Sequence, residues 1–175
     1  MARRVRVVHE GALYHVTFRG NGRAAIFDDD RDREALLERL AERVERYGVR
    51  LHLYALMLNH VHLLVETPNA NLPGFMGSLL TSYATYRNRR HELSGHLTQG
   101  RYGAPLVEGD EYLLRLSRYI HQNPVWVGAL AKRPLKDRVA ALRAYPWSSY
   151  RAYAGLTAAE PWVTYAPGVM ASTGA

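Results

Sequence analysis

Residues 57–66 read MLNHVHLLVE, two histidines one residue apart in an otherwise apolar run. In an extended chain alternate side chains share a face, so His60 and His62 sit about 6.6 Å apart on one side, close enough to lean onto a single ion. Neutral imidazole is the commonest protein metal ligand, and a strand holds such a pair ready. An H-x-H spacing alone does not make a metal centre. A histidine triad would need a third histidine two places on, where the chain has Leu64. Glu66 lies too far along the strand to complete a zinc site with His62. A further ligand must come from another element. Residues 110–123, DEYLLRLSRYIHQN, offer one, because Tyr119 and Asn123 are four apart and share a helix face. Tyrosine brings a nucleophilic oxygen, and asparagine a carboxamide oxygen of the kind hard divalent ions accept. Leu113, Leu116 and Ile120 form the stripe that would dock this helix, a spacing that also suits a helix with no chemistry.

The elements that must position these groups follow in order. Residues 12–19, ALYHVTFR, alternate and end at Gly20, reading as a strand followed by GNGR turn chemistry. The acidic run at 28–30 can cap a helix over about 30–47, with Leu36, Leu37, Leu40 and Val44 at helical spacing and Gly48 as its stop. Residues 50–57 and 60–66 read as a hairpin around Leu58 and Asn59. A second helix is expected over about 71–91, and a short strand at about 104–108. This βαββαβ order predicts an α+β, ferredoxin-like antiparallel sheet with two helices on one face. A third helix follows, capped by Asp110 and ended by Pro124, because the residue before proline is pushed out of helical geometry. Short helices are expected over 125–131 and 136–154, with PWSSY as a break. Residues 1–165 are read as one domain and 166–175 as a loosely ordered tail.

A chain of 175 residues buries roughly 70% of the surface its unfolded form exposes, enough for one core. It has no cysteine, which excludes disulfides and thiolate metal sites. No stretch has the length of a membrane span and MARRVRVVHE lacks a signal-peptide core, so a cytoplasmic protein is expected. Lys and Arg exceed Asp and Glu by 23 to 16, and nearly all of the cations are arginine. Arginine suits bidentate phosphate contacts and base stacking, which makes an anionic polymer the first partner to consider. Twelve tyrosines, several interleaved with arginine as in SYATYRNRRHE, add aromatic faces beside those cations.

Together, four blocks in order resemble one family: YHVTFRGNGRAAIF, LNHVHLLVET, GHLTQGRYGAPLVEGDEYLLRLSRYIHQNPV and PWSSYRAY. They resemble the HUH single-tyrosine transposases, specifically the REP-associated tyrosine transposases of the IS200-like group. The resemblance implies a ferredoxin-like domain that cuts single-stranded DNA beside hairpins of palindromic repeats. It implies that His60 and His62 are metal ligands, that Tyr119 is the nucleophile, and that Asn123 stands where relatives use Gln. Leu58 replaces a frequent Pro, Thr98 a common aromatic, and Trp126-Val127 a frequent Arg-Ala.

On this reading Mg²⁺ or Mn²⁺ is held by His60, His62 and Asn123, with Mn²⁺ suiting the mixed imidazole and oxygen donors better. Tyr119 would form a 5′-phosphotyrosine, and a second 3′-hydroxyl would reverse the step. A phenol is protonated near neutral pH, so the ion or a water must assist its deprotonation. Arg3, Arg4, Arg6, Arg87, Arg89 and Arg90 are candidates for phosphate contacts, and Tyr83 and Tyr86 for base stacking. His15, His52, His91, His96 and His121 are expected to be structural. Two other classes stay open: a non-catalytic hairpin-binding module, and a metal hydrolase using bound water. The chain is expected to be a monomer or a homodimer, the latter if its third helix completes a neighbour's site.

Overall fold

In a computed structural model the described residues are 8–165; Arg3, Arg4, Arg6 and the expected tail lie outside them. Three strands, β1 (Ala12–Arg19), β2 (Arg50–Leu56) and β3 (His60–Thr67), form an antiparallel sheet in the order β1-β3-β2. The β2–β3 hairpin closes with the Met57 N–H donating to the His60 carbonyl at 2.8 Å. Exposed Leu58 and half-buried Asn59 make its tip. Between them the strands place Val61, Leu63 and Val65 on one face and His60, His62 and Leu64 on the other, as alternation requires.

The first face is covered by α1 (Asp30–Tyr47) and α2 (Leu72–Arg90). Asp29 caps α1 by accepting from the Asp32 N–H, and Gly48 ends it at φ 60°, a left-handed value that glycine adopts without strain. Leu36, Leu40 and Val44 of α1 and Phe75, Met76 and Leu79 of α2 pack against Val16, Phe18, Val61 and Leu63. In β2 a register shift between Leu51 and Leu53 places both Leu51 and Tyr54 in this core. A bulged residue changes the alternation of faces, which is how two residues three apart point the same way.

The second face is covered too, by α3 (Asp110–Trp126) and α5 (Tyr150–Tyr153), so β2 and β3 are buried on both sides. Leu116 and Ile120 of α3 pack on Leu53, Ala55 and Leu64. Burying each such side chain is worth about 1.5–3 kcal/mol. His121 anchors the same helix, its Nε2 lying 3.1 Å from Ser149 Oγ with its ring against Tyr150 and Tyr153. Burial pulls the His121 pKa down to about 4, so the ring is neutral near pH 7.

Three expectations need correction. The anticipated fourth strand at 104–108 is not a continuous strand. The chain at 98–106 touches β1 through isolated bridges, Thr98 to Gly20, Gly103 to Thr17 and Leu106 to Tyr14. Pro105 has no N–H to donate and only accepts from the His15 N–H, which interrupts a ladder. At Gly103 a Cβ would lie 2.9 Å from Thr17 Oγ1, so any larger residue would have to displace that hydroxyl. Second, α3 does not stop at Asn123 but runs through Pro124 to Trp126, with Gly109 rather than Asp110 at its N-cap. Proline so near the end costs one helical hydrogen bond, and burial of Pro124 and Val125 offsets that loss. Third, 125–131 is the end of α3 and a 3₁₀ turn over Gly128–Lys132 rather than a separate short helix, while the region 136–154 holds α4 (Leu135–Ala144) and the single turn α5, with the break at PWSSY as expected.

On the α1–α2 layer, Asp32 is fully buried, paired with Arg90 at 2.5 Å and His91 at 2.9 Å. Burial pushes its carboxyl up, but hydrogen bonds from the Asp28 N–H, His91 and Arg90 outweigh that and hold it below the usual carboxylate range. Its charge therefore stabilises the fold above the unfolded pKa of about 4 and is lost as pH falls through the folded value. Asp32→Asn is expected to lose about 3–5 kcal/mol at pH 7. In urea denaturation at a series of pH values, the gap to the wild-type protein should narrow below about pH 4. An unchanging gap would assign the loss to packing instead.

Candidate active site

The site forms where α3 crosses the imidazole-bearing face of the sheet. Across the β1–β3 ladder, His60 is opposite Arg19 and His62 opposite Thr17, with Ala55 of β2 on the other side of His62. His60 and His62 face each other edge to face, centroids 5.0 Å apart. The Tyr119 ring stands 5.5 Å from the His62 ring at 84°, and the residue is 52% exposed. Buried Asn123, one turn further along α3, lies against His60. All four residues belong to one chain, so the convergence needs no partner subunit.

His15, expected to be structural, and the turn residue Asn59 organise this group. His15 Nε2 lies 3.0 Å from His62 Nδ1, with the two rings stacked at 17°. Asn59 Oδ1 lies 2.8 Å from His60 Nδ1. With Nδ1 engaged in both, each imidazole is left with Nε2 as its ligand atom, the role outer partners play for metal-binding histidines. His15 is therefore a correction to the sequence reading. It reaches His62 diagonally across the ladder, and neither strand announces that register. Asn59 directly precedes His60 and could have been singled out as a turn residue with a side chain in reach.

The electrostatics favour neutral rings. Burial lowers the His15 and His60 pKa values, with Arg19 adding to the effect on His60 and Asn123 opposing it. Burial first, then His15, His60 and Arg19, pulls His62 down to about 3. Neutral imidazoles are the ligating form. His62 Nε2 and Asn123 Oδ1 are both buried and make no hydrogen bond of ordinary geometry among the described residues. An orphaned buried polar atom costs about 1–3 kcal/mol, so two of them beside His60 are what a divalent cation would satisfy. The donor set of two imidazole nitrogens and one amide oxygen suits a divalent cation. Glu66 cannot join, since Arg50 and His52 hold it at 2.5 and 3.0 Å.

The expected DNA contacts fare less well. Tyr83 is fully buried, its hydroxyl donating to the Ile26 carbonyl at 2.9 Å, so it cannot stack on a base. It falls on the core stripe of α2, which its position beside arginines disguised. Arg87 pairs with Asp28 at 2.7 Å, and Arg90 with Asp29 and Asp32 at 2.6 and 2.5 Å. Their charges are spent within the fold. Tyr86 lies under the Arg39 guanidinium, 4.5 Å from the ring centroid. Arg89 alone of these is exposed. Asp28, Asp32 and His91 bring ligand atoms within 4.8 Å of one another, but the same carboxylates are already neutralised by Arg87 and Arg90, which a cation would have to displace.

Comparison with known proteins bears on the fold and the family. A solved REP-associated tyrosine transposase, bound in its structure to a REP hairpin, superposes with a TM-score of 0.69. The match is 13% identical in sequence and covers 96% of this chain and 93% of that one, which shows a shared fold. A candidate transposase of Deinococcus radiodurans R1 is 21% identical over 68% of this chain and 95% of its own, at a TM-score of 0.48. No curated protein sequence matches the chain. The family described as "Transposase IS200 like" matches residues 9–123, the sheet, both covering helices and α3 as far as Asn123. The chain belongs to the IS200-like transposase family.

Proposed function

We propose that this transposase-family protein cleaves and rejoins single-stranded DNA beside hairpins through a covalent link to Tyr119. The observation that carries the reading is the half-exposed Tyr119 ring 5.5 Å from His62, beside two buried ligand atoms that make no hydrogen bond of ordinary geometry among the described residues. The structural relative was solved on a REP hairpin, and a palindromic hairpin is accordingly the proposed substrate here. No helix among the described residues is long and apolar enough to cross a membrane.

In this mechanism His60, His62 and Asn123 would hold a divalent cation, with His15 and Asn59 fixing the two rings, and such an ion would supply electrostatic stabilisation to the scissile phosphate. The Tyr119 phenol gives its proton to a water molecule, and its oxygen attacks phosphorus in line with the 3′-oxygen. The P–O3′ bond breaks, the leaving oxygen takes a proton as a free 3′-hydroxyl, and the 5′ phosphate stays on Tyr119. Because the link is itself a phosphodiester, a second 3′-hydroxyl can displace Tyr119 without a nucleotide cofactor. The protein's part is positioning, since a near-attack geometry accounts for much of the rate.

Incubating the protein with a hairpin-bearing single strand and Mn²⁺ should give a band of increased mass on a denaturing gel. Tyr119→Phe should abolish it while Tyr112→Phe keeps it. Cleaved DNA without an adduct would point to bound water as the nucleophile, and binding without cleavage to a non-catalytic module. The ligand assignment is checked separately by thermal unfolding. At a hundredfold excess over its dissociation constant, Mn²⁺ should add about 2.7 kcal/mol and raise the midpoint by roughly 5–10 °C. His62→Ala should erase that rise; an equal rise in the variant places the ion elsewhere.

A further inference from the structure

Beyond Tyr119, α3 carries a continuous outer stripe, Arg115, Arg118, Tyr119, Gln122 and Trp126, at the spacing that keeps residues on one face of a helix. With Asn123 these residues line an open groove of about 310 Å³. Arg118 makes no ion pair among the described residues, and Arg115 only an exposed one with Glu111 at 2.5 Å. Trp126 is 58% exposed, an unusual position for so large an apolar surface. It is nevertheless held in place. Its Nε1–H donates to Gln122 Oε1 at 3.1 Å, and the Arg138 guanidinium covers one face of the indole, 4.1 Å from the ring centroid. The face away from Arg138 is left for a second planar group.

We propose that this groove binds the unpaired strand next to the scissile phosphate, with a base stacked on Trp126 and adjoining phosphates on Arg118 and Arg115. The proposal rests on the strand-cleaving reading of Tyr119 and names where the strand runs. Charge selects the polymer, because Arg118 and the solvent-exposed Arg115 line the same groove as an apolar plane, the combination that single-stranded nucleic acid needs. Distance selects the nucleotide. Trp126 lies two turns beyond Tyr119, about 10 Å along the axis, or roughly three stacked nucleotides from the reacting phosphate. The Arg138–indole–base sandwich would be reinforced by the cation on its far side. Stacking tolerates any base, so this contact contributes grip rather than sequence choice.

The test is binding to the full chain without divalent cation, so that no cleavage intervenes. The probes are a short oligothymidylate and an abasic oligonucleotide of equal length, which has the same phosphates and no bases. Trp126→Ala should weaken oligothymidylate binding on the order of tenfold and leave the abasic probe unaffected. Trp126→Phe, which keeps a ring but loses the Gln122 bond, should restore most of the affinity. Arg118→Gln should weaken both probes and flatten the salt dependence. Equal oligothymidylate affinity in the wild-type protein and Trp126→Ala overturns the proposal, and so does a Trp126→Phe variant as weak as Trp126→Ala. If no covalent adduct forms in any condition but Trp126 still discriminates the two probes, the cleavage reading fails and the groove stands. If the adduct forms and the probes bind all variants alike, the reverse holds.

Discussion

The packing of α3 on the sheet is the contact on which the rest depends. Leu116 and Ile120 against Leu53, Ala55 and Leu64 form a small second core, separate from the larger one beneath α1 and α2. Neither histidine of β3 can reach the phenol unless this core forms, since Tyr119 precedes Ile120 and its approach to His62 is set by where Ile120 lands. The buried His121 to Ser149 contact ties the same helix to the C-terminal segment, whose Ser149 N–H donates to the Tyr54 carbonyl of β2. The C-terminal residues thus act as a clamp on the face that carries the chemistry.

This arrangement divides the molecule by role. The α1–α2 layer is a conventional apolar core closed at its edge by an acid–base cluster, in which Asp28, Asp29 and Asp32 absorb Arg87, Arg90 and His91. The opposite layer sets two buried ligand atoms side by side, His62 Nε2 and Asn123 Oδ1, that make no hydrogen bond of ordinary geometry among the described residues. Natural folds avoid such orphans because each carries a desolvation cost. They persist here inside a frame that over-determines them: a rigid hairpin below, a docked helix above, and His15 and Asn59 holding the rings from the side. Tyr119 and the Trp126 groove sit on the outer surface of the same helix, so the buried and exposed halves of the site are placed by one element.

The same logic explains why the arginine count is a poor guide to the DNA surface. In α2 the run Tyr86-Arg87-Asn88-Arg89-Arg90 has the composition of a phosphate-binding stretch, yet two of its three cations complete ion pairs inside the protein. A guanidinium's availability depends on whether a carboxylate from a distant segment reaches it, and Asp28 and Asp32 are some sixty residues away. On α3, by contrast, Arg118 meets no such partner among the described residues.

Local patterning alone determined the order of strands and helices, the two faces of 60–66, the α1 cap and stop, and the apolar stripe that docks α3, because each is a short-range periodicity or a single turn residue. The separated blocks also identified the family and the four residues that meet. Tertiary structure decided what those patterns leave open: the ladder register that puts His15 on His62, the interrupted edge at Pro105, the extension of α3 past Pro124, and the burial of Tyr83. Each of these depends on which distant atoms arrive beside a residue, and a side chain's identity carries no record of its eventual neighbours.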